Sequence, residues 1–219
     1  MSEVSILVLP GGGYEYRADH EGEPVAAWLR GLGLRARVVD YPVRVAHPAP
    51  IDAVRTEIAR ERATSSVVGV LGFSAGGHLA GMACLTGGPD ERADFGVLCY
   101  PVVTMGADAH AGSRDILLGP DPDPDLGNEL SLENLVTADS PPLFLWSGAD
   151  DDAVPVAANS YRLAAAFAAA GAPHELHVLE RAGRHGVGID EPAGIASRAL
   201  IENWLRSRGF IAPSAEGRS

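Results

Sequence analysis

The chain has 219 residues, 46% of them hydrophobic, enough for one domain with a sizeable buried core. Its 17 basic residues stand against 29 acidic ones, and the resulting formal charge of −12 repels phosphate backbones and anionic membranes, so neither nucleic acid nor membrane is expected as a partner. All the basic residues are arginine, which removes a P-loop lysine, a Schiff-base lysine and a Ser-Lys dyad together.

The opening "MSEVSILVLP" has only a short apolar run and no basic stretch before it, so a cytoplasmic protein without a signal peptide is expected. Val4 to Leu9 reads as a buried strand, and "GGGYEYR" follows it at once. Helical spacing then predicts a helix over Pro24 to Leu32, a strand over Ala36 to Val39 and a helix over Ile51 to Ala63. The pattern repeats with a strand at Ser66 to Leu71, a helix at Ser74 to Leu85 and a strand at Phe95 to Tyr100. From Gly106 to Pro142 the rhythm breaks: "GPDPDPDLG" suits neither strand nor helix, and the segment reads as an excursion over one end of the sheet. Strand Pro142 to Trp146, helix Val156 to Ala170, strand Glu175 to Leu179 and helix Ala193 to Ser207 complete the alternation. Such alternation implies a mostly parallel sheet covered on both faces, one domain over 1–210, with 211–219 as a disordered tail. Cys84 and Cys99 lie in apolar surroundings without ligand spacing and read as buried free thiols.

Gly72-Phe73-Ser74-Ala75-Gly76 stands between a β run and a helical stretch, the setting in which G-x-S-x-G forms a sharp elbow with its serine exposed above the sheet. A serine needs a base, and seven histidines are available. His78 projects from the helix body, while His174 and His177 point to opposite faces of the last strand. His185, in the glycine-rich "AGRHGVG" just past that strand, is the candidate base. "LFLWSGADDDAVPV" puts Asp150, Asp151 and Asp152 at the end of the penultimate strand, and any of the three could orient the imidazole. The glycines after the first strand are either a tight turn or half of an oxyanion hole whose N–H donors approach the reacting carbonyl, with the Ala75 amide as the other half.

Taken together, "LPGGGY", "HEGEPVAAWLRGLG", "DYPVRVAHPAPIDAVR", "GFSAGGHLAG", "CYPVV", "GSRDILLG", "SLENLV" and "SPPLFLWSGADDDAVPV" resemble the small α/β-hydrolase esterases, in particular the acetylxylan-esterase and acetylesterase group. The resemblance implies a three-layer α/β-hydrolase fold, with Ser74 as nucleophile, His185 as base, and Asp151, four residues before the proline of "VP", as the acid. It implies oxyanion donors at Gly12, Gly13 and Ala75. Tyr14, Tyr16 and Arg17 either line the alcohol side or merely order their loop. Two departures stand out: Pro10 replaces the histidine that lipase-like relatives carry before the glycines, and the glycine loop arrives by residue 11, so about six strands and no large cap are expected.

An open site without a deep apolar pocket favours small acyl groups. The expected activity is a serine carboxylesterase acting on a small-molecule ester, an acetylated sugar such as a xylo-oligosaccharide, with no metal or cofactor. An arylformamidase, a peptidase and a non-catalytic binding protein on the same fold are the rivals. A homodimer through an unpaired sheet edge is a further expectation.

Overall fold

A computed structural model describes residues 4–213. Six strands are present among them: β1 (Val4–Leu9), β2 (Arg35–Val38), β3 (Val67–Phe73), β4 (Phe95–Cys99), β5 (Leu143–Gly148) and β6 (His174–Leu179). They form one sheet in the order β2-β1-β3-β4-β5-β6, every pair parallel. The helices are α1 (Glu23–Gly31), α2 (Ala49–Arg62), α3 (Ser74–Leu85), α4 (Ala111–Leu118), the single turn α5 (Leu126–Glu129), α6 (Ser160–Ala170) and α7 (Pro192–Ser207).

Successive side chains of a strand face opposite ways, and in this sheet both faces are apolar. Leu7 and Leu9 of β1, with Leu143 and Leu145 of β5, join the core made with Ile51, Ile58, Leu79 and Phe167 of α2, α3 and α6. Ile6, Val8, Phe144 and Trp146 join the opposite core with Val25, Leu29, Ile201 and Trp204 of α1 and α7. His174 packs on Phe167 and His177 on Phe144, so the two do point to opposite faces. Three layers result, because parallel strands need crossovers and right-handed crossovers deposit the helices on both sides. The chain leaves β1 in one direction to make β2 and returns past it to make β3. A crevice therefore opens beyond the carboxyl ends of β1 and β3, where such sheets bind ligands.

Most element ends differ from the sequence reading by one or two residues, and three differences have a physical reason. Strand β4 stops at Cys99, since Tyr100 turns out of the sheet with φ 37°. Helix α6 begins at Ser160 rather than Val156, because Asn159 is held out of helical conformation, its Oδ1 accepting from the Val103 N–H and its Nδ2 donating to the Pro155 carbonyl. The excursion, read as irregular, contains α4, whose Leu117 and Leu118 bury against the core, and the turn α5. Of the tail expected over 211–219, residues 214–219 lie outside the described residues, whereas Ile211 packs against the α1 and α7 side of the core. Among the described residues no helix is long and apolar enough to cross a membrane.

One buried link joins the excursion to α3 and the glycine loop. His78 of α3 donates from Nε2 to the Leu130 carbonyl (2.7 Å), and its Nδ1 accepts from the Tyr14 hydroxyl (2.7 Å). Burial pushes its pKa down to about 4, against the opposing pull of the Leu130 carbonyl. A histidine kept neutral in the fold but free to protonate when unfolded stabilises the fold above its ordinary pKa near 6.5, and that stability is lost as pH falls toward 4. From pH 7 to pH 5 the loss is about 2 kcal/mol. Urea denaturation at the two pH values measures it, and His78→Gln is expected to flatten the difference; an equal slope in the variant contradicts the account.

Candidate active site

The crevice is built on a crowded backbone. Ser74 opens α3 directly after β3 with φ 51°, a left-handed conformation unusual for a side-chain-bearing residue. A methyl group at Gly72 would stand 2.1 Å from the Gly76 carbonyl oxygen, and one at Gly76 would stand 2.2 Å and 2.3 Å from the carbonyl oxygens of Leu9 and Pro10. The elbow thus fits only against bare backbone, and the end of β1 packs directly on it. That contact lays the glycine loop beside Ser74.

The loop is also a hydrogen-bonded turn, so the two readings of its glycines are compatible. Glu15 and Tyr16 N–H groups donate to the Gly12 carbonyl (2.9 and 3.2 Å), and Ala18 N–H donates to that of Gly11 (3.0 Å). Gly12 has φ 122°, and a methyl group there would meet the Tyr16 carbonyl oxygen at 2.3 Å. Among the described residues, nothing accepts from the N–H groups of Gly12 and Gly13.

Ser74, His185 and Asp151 come together across 111 and 34 residues of chain. Ser74 Oγ lies 2.7 Å from His185 Nε2, and His185 Nδ1 lies 2.6 Å from Asp151 Oδ2. The other oxygen of Asp151 accepts from the N–H groups of Ala153 (3.0 Å) and Val154 (2.9 Å), which anchors a carboxylate that is 8% exposed. The neighbouring aspartates do different things. Asp150 accepts from Ala182 (2.8 Å) and Gly183 (3.2 Å) and so holds the loop that carries His185; these backbone donors, Ala182 first, draw its pKa down. Asp152 is exposed.

Two positioning groups were not legible beforehand. Glu21, 2% exposed, accepts from the Gly11 N–H at Oε2 (2.7 Å) and from the Tyr100 hydroxyl at Oε1 (2.6 Å). The same hydroxyl accepts from the Gly188 N–H (2.8 Å), and the Tyr100 ring packs edge-on against His185 with centroids 5.0 Å apart. Burial, then the adjacent Glu21 carboxylate, raises the Tyr100 pKa well above its ordinary value, so the phenol stays protonated. A buried carboxylate inside the polar string "DHEGEP" carries no local signal; only the meeting of three loops makes it one.

A cleft of about 320 Å³ opens over Ser74 and His185, bounded by Gly12, Gly13, Tyr16 and His110 among others. Tyr16, 58% exposed, lies on it. Tyr14 does not: it is fully buried, because its hydroxyl is given to His78. Arg17 also turns away, ion-paired with Asp40 and donating to the Tyr41 carbonyl (2.7 Å). Of the two alternatives for Tyr14 and Arg17, these contacts are those of residues that order their loop rather than line the cleft. Cys84 and Cys99 are buried and form no disulfide, with thiol pKa values raised by burial, and no cluster of three or more metal-ligating side chains occurs among the described residues.

The sequence profile of the prolyl oligopeptidase family matches residues 50–208. The chain belongs to this family. Its fold is that of the α/β-hydrolases, with no large cap among the described residues. The chain is 42% identical to the acetyl ester-xyloside bifunctional hydrolase from Caldicellulosiruptor lactoaceticus, with a TM-score of 0.89 over 96% of this chain and 85% of that one. It is 32% identical over 220 residues to an acetylxylan esterase of Xylanibacter ruminicola, covering 93% of this chain and 45% of that protein. It is likewise 32% identical over 207 residues to endo-1,4-beta-xylanase B of Butyrivibrio fibrisolvens, covering 84% of this chain and 32% of that protein. The chain therefore spans less than half the length of these two curated relatives.

The crowding at the elbow has a direct consequence for stability. Gly76→Ala drives a methyl group into two backbone carbonyls and is expected to destabilise the fold by about 2 kcal/mol or more, lowering Tm by several degrees. Gly31→Ala in α1, where a methyl group meets nothing within 4 Å, is the control and leaves Tm unchanged or slightly raised in the same thermal scan.

Proposed function

We propose that this chain is a serine carboxylesterase that removes acetyl groups from acetylated carbohydrates such as xylo-oligosaccharides. The observation that carries the proposal is the unbroken line from Asp151 through His185 to Ser74, with contacts of 2.6 and 2.7 Å, at the floor of an open cleft. The similarity to an acetylxylan esterase and to an acetyl ester-xyloside bifunctional hydrolase supports the choice of ester.

In this reading His185 Nε2 takes the Ser74 Oγ proton as Oγ attacks the acetyl carbonyl carbon. The Asp151 carboxylate keeps the imidazole proton on Nδ1 and stabilises the imidazolium that forms. Charge developing on the carbonyl oxygen is met by the N–H groups of Gly12, Gly13 and Ala75, which need no reorientation because the turn and the helix start already hold them. Collapse breaks the C–O bond, the leaving sugar oxygen takes the proton from His185, and water then attacks the acyl-enzyme by the same relay. An acetyl group needs no deep acyl pocket, which suits a cleft that is open above the serine.

The family name favours one second reading, hydrolysis of a prolyl peptide bond by the same three residues. Assays with p-nitrophenyl acetate, acetylated xylo-oligosaccharide and a prolyl p-nitroanilide, each with wild type and Ser74→Ala, separate the two. Expected are cleavage of both acetyl esters, none of the anilide, and a loss of about a thousandfold or more in Ser74→Ala. Cleavage of the anilide alone would replace the esterase by the peptidase, and activity retained without Ser74 would overturn both. Among the aspartates, Asp151→Asn is expected to lower kcat by several orders of magnitude, whereas Asp150→Asn, which loses only a loop anchor, costs about tenfold or less in the same assay.

A further inference from the structure

The cleft contains a second histidine whose chemistry the triad does not use. His110 caps α4: its Nδ1 accepts from the Ser113 N–H (3.2 Å) and lies 2.9 Å from the Ser113 hydroxyl. A backbone N–H can only donate, so Nδ1 carries no proton and the neutral ring must carry its proton on Nε2. Protonating Nδ1 would set donor against donor. Burial, then the neighbouring His185, lowers the His110 pKa, which agrees with a ring held neutral. Nε2 has no partner among the described residues, and the ring stands beside the glycine loop, with Cε1 3.9 Å from where a methyl group on Gly13 would lie. The fold therefore presents a fixed, uncharged N–H donor on the wall of the cleft that holds Ser74.

The glycine loop and Ala75 already offer three donors to a developing oxyanion, so a fourth donor has to serve a different oxygen. The neighbouring polar groups narrow what that oxygen belongs to. Arg184 is ion-paired with Glu191, and His20 Nε2 is taken by the Gly186 carbonyl (3.0 Å). A carboxylate-bearing substrate would gain little from such a wall, while a hydroxyl or ring oxygen of a neutral sugar suits one neutral donor.

We infer that His110 is a specificity-determining residue whose Nε2–H donates to an oxygen of the neutral, polyhydroxylated alcohol portion of the ester. The inference rests on the acetyl-esterase reading above and adds a residue to it. His110→Asn tests it, because asparagine still caps the helix but is too short to reach across the cleft. Wild type and His110→Asn are compared for kcat and KM on acetylated xylobiose and on p-nitrophenyl acetate, which lacks sugar oxygens, with thermal unfolding to confirm that the cap survives. Expected is a kcat/KM loss about five- to tenfold greater on the acetylated sugar, carried by KM, as for one hydrogen bond between neutral groups. His110→Gln, which caps less well but restores reach and an N–H donor, is expected to recover part of the sugar's KM.

Equal losses on both substrates, or no loss on either, overturn the role of His110 and leave the esterase intact. Failure of the wild type to cleave acetylated xylobiose while p-nitrophenyl acetate is consumed overturns the sugar reading itself, and this inference with it.

Discussion

The site depends on how closely the end of β1 approaches the beginning of α3. Only because Gly76 has no side chain can the Leu9 and Pro10 carbonyls sit where its Cβ would be. That approach brings the glycine loop and Ser74 to the same point in space. The geometry is strained, since Ser74 at φ 51° occupies a region that costs of order 1–3 kcal/mol for a side-chain-bearing residue. It persists because β1 and β3 are paired along six residues, from Val4–Val67 to Leu9–Gly72, and are buried on both faces. The rigid sheet holds the strain that the loop alone could not.

The remaining parts come from loops, and buried polar groups tie those loops to one another. Glu21 receives the Gly11 N–H and the Tyr100 hydroxyl, and Tyr100 in turn receives the Gly188 N–H beyond His185. The glycine loop and the histidine loop, 177 residues apart between Gly11 and Gly188, thus share one carboxylate and one phenol. Asp150 secures the other side of the histidine loop at Ala182 and Gly183. On the opposite side of the glycine loop Tyr14 reaches His78, which reaches Leu130 in the excursion. Glu21, Tyr100, Tyr14 and His78 would be costly to bury unpaired, and each is paired. An acidic chain can spend carboxylates in this way because backbone N–H and hydroxyl donors, rather than cations, satisfy them.

The excursion between β4 and β5 shows how local patterning can mislead. Proline and aspartate at 120–125 break any helix there, yet the preceding "AGSRDILL" forms α4 with a histidine cap. Histidine is a poor helix-start signal by propensity, and its use as a cap acceptor depends on which ring nitrogen is protonated. The same choice of tautomer leaves the ring proton on the other nitrogen, on a side chain that lines the cleft. Tyr14 misleads in the opposite sense: an aromatic residue next to three glycines reads as a ligand contact, but the left-handed turn at Tyr14 (φ 62°) directs its ring into the core.

By itself the sequence determined the alternation of strands and helices, the parallel three-layer architecture, and the elbow with its serine between a strand and a helix. Those are local matters of periodicity and of glycine at fixed offsets, written in neighbouring residues. It also put His185 and the three aspartates at strand ends, though not which aspartate faces the imidazole. Tertiary structure decided that choice, because Asp150, Asp151 and Asp152 differ only in what surrounds them: a loop backbone, a histidine ring, or solvent. It likewise decided the burial of Glu21 and Tyr100, the withdrawal of Tyr14 and Arg17, and the entry of His110. Each of these depends on contacts between residues far apart in the chain, and no short stretch of sequence encodes such a meeting.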